Sequence, residues 1–223
     1  MTTARNLIKN RIRAGNTVIG VGCYSAALSS QSYDKVLKIG NSTTDPWLEY
    51  YYDVIAPNNG KNPHYPKVHS IHVDEGNDYY VAVVERLYEH EQREFGDIVG
   101  NDDLENVIIK AIDDDSLGLY EFMEELTEGA ASLSYGEFDE YKLYEAVEEI
   151  RRLISRSKTI YCDCHGCEDC DECDEKELNL DLHSNNFLYR RDGTIVLNDP
   201  LSDSDMEDVD DLSNWADEME IVE

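Results

Sequence analysis

Asp181-Leu-His-Ser-Asn-Asn186, followed thirteen residues later by Asp199, is the stretch on which the fold of this chain turns. It continues through Phe187-Leu-Tyr189, Arg191-Asp-Gly193 and Thr194-Ile-Val-Leu197 to Asn198-Asp-Pro200. An Asp-Gly turn between two short apolar runs predicts a hairpin. Its open end then carries Asn186 and Asp199 together, with Asp181 leading in. Two carboxylates and a carboxamide converging in this way suit a divalent cation and a hydroxyl. A solvated surface hairpin would carry the same residues, so the rest of the chain has to decide.

The 223 residues, 41% of them hydrophobic, suffice for one sizeable domain or a two-lobed one. Acidic residues number 49 against 19 basic ones, a formal charge of -30. That balance disfavours direct nucleic-acid binding through phosphates and favours basic partners, or imitation of nucleic acid. No apolar run approaches the roughly 18 residues of a membrane span, and MTTARNLIKNRIRAG at the N-terminus lacks the apolar block of a signal peptide. A cytoplasmic protein without membrane contact is expected. Cys23 stands alone and five cysteines crowd into residues 162–173, unlike a secreted disulfide framework.

Residues 1–16 form a basic segment, with Arg5, Lys9, Arg11 and Arg13 on a short amphipathic pattern read as a solvated helical face. Thr17 to Leu28 and Lys35 to Ile39 read as two β-type runs joined by a small polar loop, the first strand ending in Gly20 and Gly22. A glycine turn lets backbone N–H groups reach phosphate oxygens, and Lys38 on the facing strand adds a point charge. A simple turn would use the same glycines. Asp45-Pro46 opens a helix, as N-cap and first helical residue, that runs to Ile55 and ends at Asn58-Asn-Gly60. Lys67 to Val73 and Tyr79 to Val84 make a second hairpin around Asp74-Glu-Gly-Asn77. Residues 17–87 thus predict a small antiparallel sheet with one helix against it.

Helical spacing follows over Leu87 to Phe95, Leu104 to Ile112, Leu119 to Leu126 and Phe138 to Ile154. The last places Tyr141, Tyr144, Ala146, Val147, Ile150, Leu153 and Ile154 on an expected core stripe. Arg151 and Arg152 fall in its final turns, where cations suit the helix dipole. Cys162, Cys164, Cys167, Cys170 and Cys173 come next, with His165, at steps of two and three residues. They could wrap one Zn²⁺; the alternative is an acidic insertion whose cysteines stay reduced. Residues 201–223 are an acidic tail, expected to be solvated at first and then to form a short helix with Trp215, Met219 and Val222 on one face.

Taken in order, these features resemble the protein kinase fold. Asp181 matches the catalytic-loop aspartate, Asn186 the metal-binding asparagine five residues later, and Asp199 the metal-binding aspartate of the DFG element. Lys38 in Val36-Leu-Lys-Ile39 resembles the phosphate-pairing lysine. Gly20 and Gly22 resemble the first glycines of the phosphate loop, with Ser25 where a third would stand, and Glu85-Arg-Leu87 resembles the adenine-binding hinge. The resemblance implies an α+β, two-lobed fold: an N-lobe at 17–87, a truncated helical C-lobe at 88–200 interrupted by the 162–173 insertion, and a catalytic hairpin at 181–199. It implies ATP and Mg²⁺ as cofactors. Lys38 would hold the α/β-phosphates, Asn186 and Asp199 the metal, and Asp181 the accepting hydroxyl. Glu49 is the expected partner of Lys38, with Asp53 the alternative.

More narrowly, Asp-Leu-His-Ser-Asn-Asn with a terminal Asn-Asp-Pro is similar to the early serine/threonine kinases of short-tailed lytic bacteriophages. That family implies phosphorylation of host proteins, among them RNA polymerase and RNA-processing enzymes, self-phosphorylation with Ser202 and Ser204 as candidates, and shutoff of host transcription in fuller-length members. Departures are plain. Asn179-Leu180 replaces His-Arg, Pro200 replaces the DFG phenylalanine, and with 24 residues after Asp199 neither an APE-like segment nor a separate shutoff domain is expected. Two other readings stand beside a kinase: a non-catalytic acidic inhibitor of host transcription machinery, and a small-molecule phosphotransferase.

Overall fold

Five runs of small and β-branched residues within the first 87 positions become β1 (Val18–Val21), β2 (Ser25–Ser29), β3 (Lys35–Gly40), β4 (Val68–Asp74) and β5 (Tyr79–Glu85). They form one antiparallel sheet in the order β1-β2-β3-β5-β4. The computed structural model describes residues 3–89, 102–113, 117–129, 139–157, 178–183, 186–203 and 212. Thr17 to Leu28, expected as one strand, is itself a hairpin. The Gly22 N–H donates to the Ser25 carbonyl at 2.8 Å, and Gly20 lies inside β1 beside a register irregularity rather than at its end. The apolar run hides this reversal.

Side chains alternate across a sheet, so β3 serves two faces at once. Leu37 and Ile39, with Ala26 and Leu28 of β2, pack against Ala4 and Ile8 of helix α1 (Ala4–Arg13). The basic segment is therefore not only a solvated face; it covers a core, while Arg11 and Arg13 remain exposed. Each such Leu or Ile removed from water contributes about 1.5–3 kcal/mol. Lys38 and Gly40 point the other way, toward a helical run at residues 46–58. This run comprises α2 (Pro46–Tyr50), a wider π-helical turn (Tyr51–Ile55) and α3 (Ala56–Asn58). Asp45 caps it by accepting from the Trp47 N–H at 2.9 Å, and Gly60 ends it at φ 77°. Pro57 has no N–H to offer the Asp53 carbonyl, which fits a local departure from regular α-helix.

The chain is α+β and divides into two compact units. The first contains Met1–Gly60 and Pro66–Leu87, joined by Leu212; the second contains Lys61–Tyr65 and Tyr88–Asp205. In the second unit, buried Leu104, Ile108, Ala111 and Ile112 recur at helical spacing along α4 (Asp102–Asp113), and Phe122 and Leu126 do so along α5 (Leu119–Gly129). Helix α6 (Glu140–Ser157) buries Leu143, Ala146, Val147, Ile150 and Leu153. Tyr141, expected in that stripe, is 63% exposed, because it lies roughly 200° around the helix from Leu143. Arg151, expected in the final turns as a cation suited to the helix dipole, is buried: it pairs with Glu148 and donates to the Leu117 carbonyl at 3.3 Å.

The expected helix from Leu87 does not begin there. Tyr88 instead exchanges two backbone hydrogen bonds with Tyr189, at 2.9 and 2.8 Å, giving its peptide groups a partner no helix would supply. Residues 90–95 of that segment lie outside the described residues, as do the cysteine run at 162–173, Ser204, Trp215, Met219 and Val222. Lys61–Tyr65 is an excursion of the chain into the second unit. Asn62 donates to the Lys142 carbonyl at 2.7 Å, His64 Nδ1 to the Ile195 carbonyl at 2.9 Å, and Arg190 to the carbonyls of Pro63 and Tyr65. No helix among the described residues is long and apolar enough to cross a membrane.

Candidate functional site

The hairpin at the end of the second unit forms as expected. Strands β7 (Phe187–Tyr189) and β8 (Ile195–Leu197) pair with Phe187 opposite Leu197, and Gly193 takes φ 86° in the turn. A positive φ explains glycine here. At the open end the Asn198 N–H donates to the Asn186 carbonyl at 3.0 Å, which brings the segment carrying Asp199 beside Asn186.

A second ladder, which the sequence did not announce, fixes the third member. Leu178–Leu180 forms β6 and Leu201–Asp203 forms β9, paired antiparallel with Leu180 opposite Leu201. Residues expected to start a solvated acidic run are thus ordered as a strand at Leu201–Asp203, because Leu201 and Leu178 bury their side chains. Ser202 sits opposite Asn179 in this ladder. Just beyond it the Asp181 N–H donates to the Pro200 carbonyl at 2.9 Å, so Asp181 and Asp199 are held at the same mouth. Asn186 is held at both main chain and side chain: its N–H donates to the His183 carbonyl at 2.8 Å, and its Nδ2 donates to the Asp181 carbonyl.

His183 is the residue that the sequence reading left without a role. Its Nε2 lies 3.3 Å from Asn186 Nδ2 and 3.9 Å from Asp181 Oδ1. Partial burial raises the Asp181 pKa, against the pull of His183 and of the hydrogen bond from Asn186. With Nδ2 committed to a backbone carbonyl, the amide oxygen of Asn186 is the atom left to act as a hard ligand. Carboxylate and amide oxygens fit Mg²⁺. No cluster of three or more His, Cys, Asp or Glu side chains suited to a metal occurs among the described residues. The Asn186 amide oxygen and the Asp199 carboxylate are the groups that could hold such an ion, with water or phosphate completing its shell.

The first unit assembles the other expected residues. Lys38 is 8% exposed, on the third strand of the sheet, with Nζ 4.7 Å from the centroid of the Trp47 ring. Glu49 and Asp53 lie on the same helical run as Trp47, Glu49 half-buried and Asp53 exposed. Gly20, Gly22 and Ser25 belong to the β1–β2 hairpin. A Cβ on Gly20 would meet nothing within 4 Å, one on Gly22 only the Ser25 carbonyl at 3.9 Å, and neither glycine has a positive φ. Neither a positive φ nor a close neighbour therefore demands glycine at these two positions. Glu85 ends β5, where its N–H donates to the Lys67 carbonyl at 2.9 Å and its carboxylate accepts from the Lys67 N–H at 2.7 Å. The boundary between units falls directly after Leu87.

The sequence matches no known protein-family model, and no curated protein is significantly similar to it.

Proposed function

We propose that this protein is an ATP- and Mg²⁺-dependent protein kinase acting on serine or threonine, with a two-lobed kinase-like arrangement. The observation that carries the reading is the mouth formed by Asp181, Asn186 and Asp199, held by two separate strand ladders. A carboxylate facing a hydroxyl beside two oxygen ligands is the set that phosphoryl transfer requires. Asp181 would orient the accepting hydroxyl and take its proton; the upward shift of its pKa moves it toward the operating pH of a general base. Asn186 and Asp199 would hold Mg²⁺, which when bound neutralises charge on the transferring phosphate.

In the first unit, the strand order supports the same reading, since Lys38 lies on the third strand and the glycines in the hairpin before it. Lys38 would hold the α/β-phosphates. The backbone at Gly20, where even a Cβ would meet nothing within 4 Å, would lie against phosphate oxygens, while the Gly22 N–H stays with the Ser25 carbonyl. Glu49, half-buried on the helical run, fits as the acid that accompanies Lys38 better than the exposed Asp53. Host proteins, including RNA polymerase and RNA-processing enzymes, are the proposed substrates. The test is transfer of labelled phosphate from ATP to host lysate or to the protein itself, with Asp181→Asn alongside. Transfer by wild type and a loss of at least about 100-fold in the variant are expected. Equal transfer by both would refute the assignment.

One observation favours a second reading: the formal charge of -30 suits an acidic inhibitor that occupies a basic channel on host transcription machinery. Such a protein would bind its partner as well after Asp181→Asn as before. A small-molecule phosphotransferase is distinguished by label appearing in a dialysable product instead of protein.

A further inference from the structure

Lys38 is almost wholly out of water, and the ring of Trp47 lies against its ammonium. Trp47 is 1% exposed, and the Lys38 ammonium lies 4.7 Å from its ring centroid, within the range in which a ring face attracts a cation. The ring is itself immobilised. Tyr80 stacks on it with centroids 5.4 Å apart and planes 7° from parallel, and Tyr51 stacks at 5.8 Å and 14°. Tyr80 is held in turn, its hydroxyl donating to Asp45 Oδ2 at 2.6 Å, while Asp45 Oδ1 accepts from the Trp47 N–H at 2.9 Å. One carboxylate thus fixes both ends of the stack, the tyrosine on β5 and the start of the helix carrying the tryptophan. Gly40, two residues beyond Lys38 on the same face, leaves the space that the Tyr80 ring fills: a Cβ there would lie 1.9 Å from the ring.

From this arrangement we infer that Trp47 is a positioning residue for Lys38, its indole face fixing where the ammonium sits and the Asp45–Tyr80 pair fixing the indole. The inference rests on the reading of Lys38 as the phosphate-holding lysine. A long, flexible side chain binds phosphate well only if its rotamer is set beforehand, because ordering it during binding would cost entropy. An indole face restrains where the ammonium sits through its ring quadrupole. Trp47 touches no reacting atom in this scheme; its effect passes through Lys38.

The test uses the full chain labelled with ¹³C at the lysine ε-carbon. The Lys38 resonance, assigned by its disappearance in Lys38→Arg, is expected upfield of the other lysines through the ring current of Trp47. In Trp47→Leu it should return to the common position, and nucleotide affinity should fall by about tenfold. Trp47→Phe should restore both in part, and circular dichroism and Tm identify any loss from unfolding alone. An unshifted Lys38 resonance in wild type overturns the inference without any variant. So does a Trp47→Leu protein that folds and binds nucleotide like wild type, in a chain whose transfer depends on Asp181; the kinase reading then survives. A wild-type chain that neither binds nucleotide nor transfers phosphate overturns both.

Discussion

Gly20 and Gly40 are the same residue placed for opposite reasons. Gly40 is demanded by packing, since Tyr80 occupies the place of its side chain, whereas nothing in the fold contacts a Cβ at Gly20. Gly40→Ala should therefore destabilise the first unit by about 1–3 kcal/mol through overpacking. Gly20→Ala should leave the urea midpoint unchanged or slightly raised, yet weaken nucleotide binding if the backbone there meets phosphate. Urea titration beside a nucleotide-binding assay on the two variants checks both statements. His64 gives a second residue-scale prediction. Burial depresses its pKa below the ordinary 6.5, so the folded state keeps the imidazole neutral where the unfolded state would protonate it. Its contribution is fully present above about 6.5 and is lost as the pH falls through and below that value, because the unfolded chain then binds the extra proton. Between pH 7 and pH 5.5, Tm should drop further in wild type than in His64→Gln. None of this was visible beforehand, since burial depends on which distant carbonyl, here that of Ile195, a side chain finds.

At the scale of elements, the candidate site depends on two ladders of three residues each. The β7–β8 hairpin could be read in advance because its turn chemistry is local: Asp192-Gly193 between apolar runs specifies reversal and register together. The β6–β9 ladder could not. Its strands are separated by twenty residues of chain, and Leu201-Ser-Asp203 on its own has the composition of the acidic run that follows. Its stability comes from burying Leu178 and Leu201, an outcome of tertiary packing. Leu201→Ala should cost about 2–4 kcal/mol and release Asp181 from Pro200. Hydrogen exchange at the Asp181 amide should then accelerate, and with the proposed activity, phosphate transfer should fall while nucleotide binding by the first unit persists. Unchanged exchange at Asp181 would show that the ladder does not hold the mouth.

Across the whole molecule, the two ends of the chain share one core. Leu212 is 0% exposed in the cluster that contains Ala4, Ile8, Leu28 and Ile39, and its N–H donates to the Cys23 carbonyl at 3.0 Å in the β1–β2 turn. Leu212→Ala is expected to destabilise the first unit by about 2–4 kcal/mol, read as a lowered urea midpoint. Self-repulsion at a charge of -30 should make the protein more stable at about 0.15 M salt than at 0.01 M, measured as a rise in Tm. By itself the sequence determined what short-range chemistry can determine. That covers the sheet-forming runs, the Asp45-Pro46 helix start, the Asp-Gly hairpin, the helices α4, α5 and α6, and the return of the Asn198-Asp199 segment to Asn186. Only the tertiary structure decided that α1 and Leu212 cover one face of the sheet, that Trp47 and Tyr80 stack beside Lys38 on the other, and that Leu201 returns to Leu178. Those contacts join residues far apart in the chain, where hydrophobic burial selects partners that no local pattern encodes.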